Sequence, residues 1–198
     1  MKKSILTVAA IIAFGFANAQ ETKFGVKAGL NIANQKFEAD GFSVSPNSII
    51  GVQVGGFAEI NVAGKFAIQP EVLFSTEGSK LKFDGDEIQF NLSYINIPVM
   101  AKFYAAEKFS IHAGPQLGFL VSAKGKYKEA GMGEVKEDIK DAYKSVNFGL
   151  NFGAGYEFTD NLLVDIRYNV GLSDVAETND EGVKTTGSVF SIALGYKF

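Results

Sequence analysis

Nine titratable residues of this chain fall on alternate positions of segments whose other face is apolar: Lys27, Glu59, Glu71, Lys102, His112, Glu157, Asp165, Arg167 and Lys197. Two chemistries suit such a set. Four cations and four anions of matching number predict a buried, mutually neutralising network, because an unpaired charge in a closed interior is costly. Arg167, whose guanidinium offers a rigid fork of donors, is the expected hub. The second chemistry is acid–base catalysis, for which the single histidine would need a Ser or carboxylate partner near an accessible outer surface. His112 lies near the start of its segment, at the end expected to face away from that surface, so a hydrogen-bonding role is expected. The chain has no Gly-x-Ser-x-Gly, P-loop or His-rich metal spacing, and Gly149, Gly153 and Gly155 sit inside a segment rather than at a strand-to-helix turn. No enzymatic activity, cofactor or metal is expected.

The elements that position these residues follow from period-two alternation, the pattern of strands with one apolar face. From Val146 to Phe158, Val146, Phe148, Leu150, Phe152, Ala154, Tyr156 and Phe158 share one face, and Asn147, Gly149, Asn151, Gly153, Gly155 and Glu157 share the other. The same alternation runs through segments beginning at Phe24, Ile50, Phe66, Ile88, Phe109, Leu162 and Phe190, making eight candidate strands. In residues 88–104 the apolar parity switches near Tyr94, which predicts a β-bulge in that strand. Pro70, Pro98 and Pro115 each remove a donor inside a predicted strand, so bulges or strand ends are expected there. Connections at 63–65, 105–108 and 159–161 are short; those at 35–47, 80–87, 123–142 and 173–187 are long.

Residues 1–19 read as a signal peptide: Lys2 and Lys3, an apolar run from Ser4 to Phe16, then Ala17-Asn18-Ala19, with cleavage expected before Gln20. Its removal takes the net charge from -3 to -5, which leaves no electrostatic footprint for nucleic acid. With no cysteine there is neither a disulfide framework nor a thiolate metal site. Residues 20–198 are expected to form one domain.

Alternation alone fits two architectures. A soluble periplasmic ligand-binding barrel puts its apolar face inward; a transmembrane barrel puts it outward. The polar face here is mostly Gly, Ser and Asn with a few charges, which suits the narrow interior of eight strands. Aromatics gather at strand ends: Phe24, Phe66, Phe103, Phe109, Tyr156, Phe158, Tyr196 and Phe198 at one rim, and Phe74, Phe90, Phe148, Tyr168 and Phe190 at the other. The chain ends on alternating Tyr196 and Phe198, which resembles the signal read by the barrel-assembly machinery. The expected fold is all-β, a single eight-stranded antiparallel up-and-down transmembrane β-barrel in the outer membrane, with both mature termini periplasmic. Its expected role is structural or partner-binding, with a narrow porin-like channel for small solutes as the alternative.

Expected partners are outer-membrane lipid and lipopolysaccharide, the assembly machinery during biogenesis, and an unidentified protein through loops 123–142 and 173–187. In the first of these loops Val135, Ile139 and Ala142 have helical spacing. Acidic tips at Asp84, Asp86 and Glu87 and at Asp174, Glu177, Asp180 and Glu181 read as hairpin ends, Asp84-Gly85 being turn residues, or as cation ligands among lipopolysaccharide head groups.

A series of short motifs then becomes informative through its order. Gln69-Pro70-Glu71 with Gly78, Tyr94 with Ile97-Pro98, Gly114-Pro115-Gln116-Leu117-Gly118, Arg167-Tyr168-Asn169 with Gly171-Leu172, and Gly195-Tyr196-Lys197-Phe198 resemble the PorT-like outer-membrane β-barrel domain common in Bacteroidetes. The resemblance spans the whole mature chain and implies an eight-stranded barrel in the outer membrane. Members carry a porin-family label, and the namesake is linked to protein secretion; no residue here marks secretion, and an eight-stranded barrel is too narrow for a general porin.

Overall fold

The computed structural model describes residues 22–39, 42–44, 46–83, 86–128, 134–177 and 183–198. Ten strands run in chain order: β1 (Thr22–Ala39), β2 (Phe42–Val44), β3 (Asn47–Ala63), β4 (Phe66–Phe83), β5 (Asp86–Tyr104), β6 (Phe109–Lys128), β7 (Glu134–Asp138), β8 (Val146–Glu157), β9 (Leu162–Gly171) and β10 (Val183–Lys197). Eight of them form a ring in the order β1-β3-β4-β5-β6-β8-β9-β10, which closes where β10 pairs antiparallel with β1 from Gly25↔Lys197 to Ala39↔Val183. Closure satisfies the backbone groups that an open sheet would expose at its edges. The expected signal peptide lies outside the described residues.

The side chains divide as the alternation predicts, with apolar groups outward. Leu30 is 60% exposed and Leu194 59%, whereas Lys27 and Lys197 are 3% and 2% exposed. Such an arrangement is the reverse of a soluble ligand-binding barrel. At the end with short turns the aromatics form contacts along the rim: Phe66 and Phe103 at 4.9 Å, Tyr156 and Phe158 at 5.3 Å, Tyr196 and Phe198 at 6.5 Å. The turn between β3 and β4 is Gly64-Lys65, and Gly64 takes φ +51°, a left-handed conformation that glycine adopts at no steric cost.

Three expectations need correction. First, the register slip lies in β6, not β5. Ser93 pairs with Ser122 and Tyr94 with Leu120, so Val121 is the extra residue. The parity of β5 therefore never switches, and Leu92 (3% exposed) and Tyr94 (2%) both point inward. Phe90 shares their parity and does not join the outer aromatic rim. Second, the prolines cause no bulge. Pro70 lies opposite Val99, Pro98 opposite Gln116 and Pro115 opposite Leu150, all in constant register. Pairing lapses over one two-residue step beside Pro70 and another beside Pro98 while the strands keep their alignment; a missing donor costs one ladder bond without displacing the chain.

Third, the described parts of the long connections are largely strand. β1 runs on to Ala39 and pairs with β2, β4 and β5 continue to Phe83 and from Asp86, and β7 folds back on β6. Val135 belongs to β7 and is exposed, and Lys140–Ala142 forms a single 3-10 turn, so among the described residues 134–142 there is no amphipathic helix. Asp84, Gly85, Asp180 and Glu181 lie outside the described residues. The result is a collar of paired strands at the end opposite the short turns.

The collar has its own electrostatic tie. Asp174 accepts hydrogen bonds from the Thr185 amide at 2.8 Å, the Lys144 ammonium at 3.0 Å and the Ala176 amide at 3.2 Å. Partial burial pushes its carboxyl up, but these three donors outweigh it and hold it below its ordinary value of 3.8. A depressed carboxyl stabilises the fold above its unfolded value and loses that effect as pH falls through its folded value. Exchange protection of the Thr185 and Ala176 amides, measured against intrinsic rates, is therefore expected to hold from pH 7 to about pH 4 and to fall below that. Asp174→Asn should remove the pH dependence.

Candidate functional site

The structure brings all nine lumen residues together in two tiers. In the lower tier, nearer the short turns, the Lys102 ammonium lies 2.6 Å from Glu59 and 3.7 Å from Glu157. Lys197 lies 2.7 Å from Glu157 and 3.4 Å from Glu59. Two anions thus alternate with two cations in one ring. Tyr104, not foreseen from the sequence, bridges the acids, with 2.7 Å between its hydroxyl and each of Glu59 and Glu157. Each of these side chains comes from the short-turn end of its strand, which is why they meet.

In the upper tier the hub is Glu71 rather than Arg167. Its carboxylate accepts two bonds from the Arg167 guanidinium at 3.0 Å each, pairs with Lys27 at 2.7 Å and accepts from Gln69 Nε2 at 2.7 Å. Arg167 also reaches Asp165 at 3.3 Å, and Lys27 reaches it at 3.7 Å. The fork-on-fork contact between Arg167 and Glu71 is the strongest geometry available to such a pair. His112 Nε2 stands 3.2 Å from Asp165, and its ring is seated over the bare backbone of Gly153, where a Cβ would strike the imidazole. The histidine is thus walled into the lumen among ion pairs, away from either rim.

Above the charges comes a neutral tier. Asn151 donates to Gln116 at 3.0 Å, Asn169 to Asn151 at 3.2 Å and Asn31 to Ser75 at 2.8 Å. The lumen is not wholly polar: Phe57, Leu73, Met100 and Leu163 are buried between the polar groups. A small apolar cluster of Leu92, Tyr94, Leu120 and Ala123, with Ile139 and Tyr143 packed on it, closes the collar end. Chemically the whole arrangement is a packed plug: ion pairs, then amides, then hydrocarbon. Glu77 on β4 accepts from Ser75 Oγ and Asn96 Nδ2, both at 2.9 Å; parity along β4 and β5 was the signal that could have found it and Tyr104, since both continue the inward series of their strands.

A closed antiparallel ring with hydrocarbon side chains outside and compensated charge within defines a transmembrane β-barrel. The chain belongs to the family of outer membrane protein beta-barrel domains, which matches residues 17–177, and it is a protein of the outer membrane. Solved structures that share the fold include two proteins. Ail, the attachment invasion locus protein of Yersinia pestis, solved with the heparin analogue sucrose octasulfate, is 13% identical over 90% of this chain and 100% of its own, with a TM-score of 0.52. Neisserial surface protein A is 16% identical over the same shares, with a TM-score of 0.56. At such identities the likeness concerns the fold alone. No curated protein matches the chain.

Proposed function

We propose that the protein is a sealed, non-enzymatic anchor of the outer membrane whose working surface is its collar. The observation that carries this reading is the continuous filling of the lumen by ion pairs, amides and the Leu92–Tyr94–Leu120 cluster. A barrel of this circumference has room for side chains and little else, so function moves to the loops, where binding surfaces are commonly carried on a rigid scaffold. The described parts of segments 123–142 and 173–187 belong to that collar, and these segments are the proposed contact for a protein partner. The short turns lie at one end together with both described termini, which supports placing those termini in the periplasm. Lys124, Lys126 and Lys128 on β6 sit above the outward apolar residues Phe119 and Val121 and suit lipopolysaccharide phosphates. Tyr196 and Phe198 are the proposed assembly signal, and the ordered motifs favour the PorT-like branch of the family.

Planar-bilayer recordings of the purified, folded protein test the sealed lumen. No discrete conductance step is expected at any applied potential. Reproducible unitary steps from the wild-type protein would replace the anchor with a narrow channel.

A further inference from the structure

The lipid-facing wall is not even. Where β1 meets β10 the outward residues pair as Ala28↔Leu194, Leu30↔Ile192 and Ile32↔Phe190. Ala28 also lies opposite Val54 on β3, so a single methyl group stands between two branched side chains. The wall dips there into a groove of about 400 Å³, within the range of about 300–1,000 Å³ common to small-ligand sites. Ala28, Gly29 and Ala193 line the dip, Leu30 and Leu194 flank it, and Phe190 and Ile50 border it nearer the collar. Every residue that lines the groove is apolar.

The second observation lies directly above. Beyond Ile32 and Phe190 the outward positions turn polar: Asn34 faces Ser188, Lys36 faces Thr186 and Glu38 faces Lys184. Lys36 pairs with Glu38, both side chains being nearly half exposed, and Lys184 stands opposite the same carboxylate. Two cations thus share one anion, and the strip above the groove keeps a positive charge. Lysines at such a boundary lay their stems along apolar surface and hold their heads in water. An apolar groove continued by a cationic strip matches an amphiphile with a hydrocarbon tail and an anionic head.

We propose that this groove is a binding site for one lipopolysaccharide molecule, with an acyl chain laid over Ala28 between Leu30 and Leu194 and a phosphate drawn to Lys36 and Lys184. It rests on the orientation proposed above, which puts the collar at the outer leaflet. It lies across the barrel from Lys124, Lys126 and Lys128, since β6 is far from the β1–β10 seam in the ring order. In lipid an apolar surface gains no hydrophobic drive, so preference for one chain comes from close dispersion contact and from the head group. A second barrel fits worse, because its convex wall would rest on the ridges of Leu30 and Leu194 without entering the dip between them.

The test is native mass spectrometry of the folded full-length protein in detergent, offered rough-type lipopolysaccharide, phosphatidylglycerol and phosphatidylcholine at equal concentration. Heat-modifiable gel migration confirms that each variant is folded. A single lipopolysaccharide adduct is expected, held after both phospholipids have left. Ala28→Phe fills the dip and should weaken that adduct about tenfold. Lys36→Gln with Lys184→Gln should weaken it too, which carries the test if Ala28→Phe does not fold. Ala154→Phe, set among the lipid-facing Ile111 and Ile166 outside the groove, should leave it unchanged. An adduct that survives Ala28→Phe at full strength, or one weakened equally by Ala154→Phe, overturns the site and leaves the orientation standing. A groove-dependent adduct of phosphatidylglycerol in place of lipopolysaccharide overturns both.

Discussion

Glu71→Gln is expected to cost the folded barrel about 3–5 kcal/mol, the range seen when one partner of a buried ion pair is removed. The carboxylate is 2% exposed and is shared by Arg167, Lys27 and Gln69. Glutamine keeps the shape but takes away the charge, leaving two cations facing Asp165 at 3.3 and 3.7 Å. Three of the four carboxylate contacts then lose most of their worth while the desolvation of Lys27 and Arg167 remains. A urea titration scored by folded and unfolded gel bands gives the midpoint, with an unchanged slope if the variant only loses stability. Adding Lys27→Met restores the balance of charge, so the double variant should be markedly more stable than Glu71→Gln alone, a non-additivity that independent sites would not show. Equal stability of Glu71→Gln and wild type would mean that the upper tier contributes nothing.

On the opposite face of the wall, Leu194→Arg is expected to cost about 2–4 kcal/mol in a phosphatidylcholine bilayer, the range for a cation near the hydrocarbon midplane. Leu194 lies opposite Ala28 on β1 and Val164 on β9, between the aromatic pair Tyr196–Phe198 and Phe190 further along β10. Its exposure therefore means contact with acyl chains. On a water-facing strand the same change would stay within about 0.5 kcal/mol, so unfolding in bilayers of the single variant separates the two environments.

Much of this was legible because alternation is a local property. The face of each residue from Val146 to Phe158 can be read without knowing its neighbours, and the nine lumen charges fall out of the same parity. What was not legible depends on pairing between strands. The extra residue at Val121 compensates β6 and leaves β5 regular, yet the apolar spacing of Ile88, Phe90 and Leu92 suggests the reverse. Leu92 is apolar because it belongs to the cluster that closes the collar end, and Ile88 and Phe90 share its parity. Glu77 was missed because the alternation was followed only to Ser75, one inward step short, and Tyr104, the last residue of the segment 88–104, was assigned to neither face. The length of β1 past Gln35 is likewise set by its partner β10, which continues to Val183, and nothing local in Lys36 to Ala39 announces it.

Nitroxide scanning of β10 from Val189 to Lys197 in bilayers tests the central claim most directly. Single cysteines, introduced into a chain that has none, carry the label. Power saturation then compares oxygen, which partitions into acyl chains, with a water-soluble nickel reagent. Labels at Phe190, Ile192, Leu194 and Tyr196 should be reached by oxygen, and those at Ser191, Ala193, Gly195 and Lys197 by neither reagent. A profile without a two-residue period, or one in which the nickel reagent reaches the even positions, would contradict a lipid-facing apolar wall around a sealed interior.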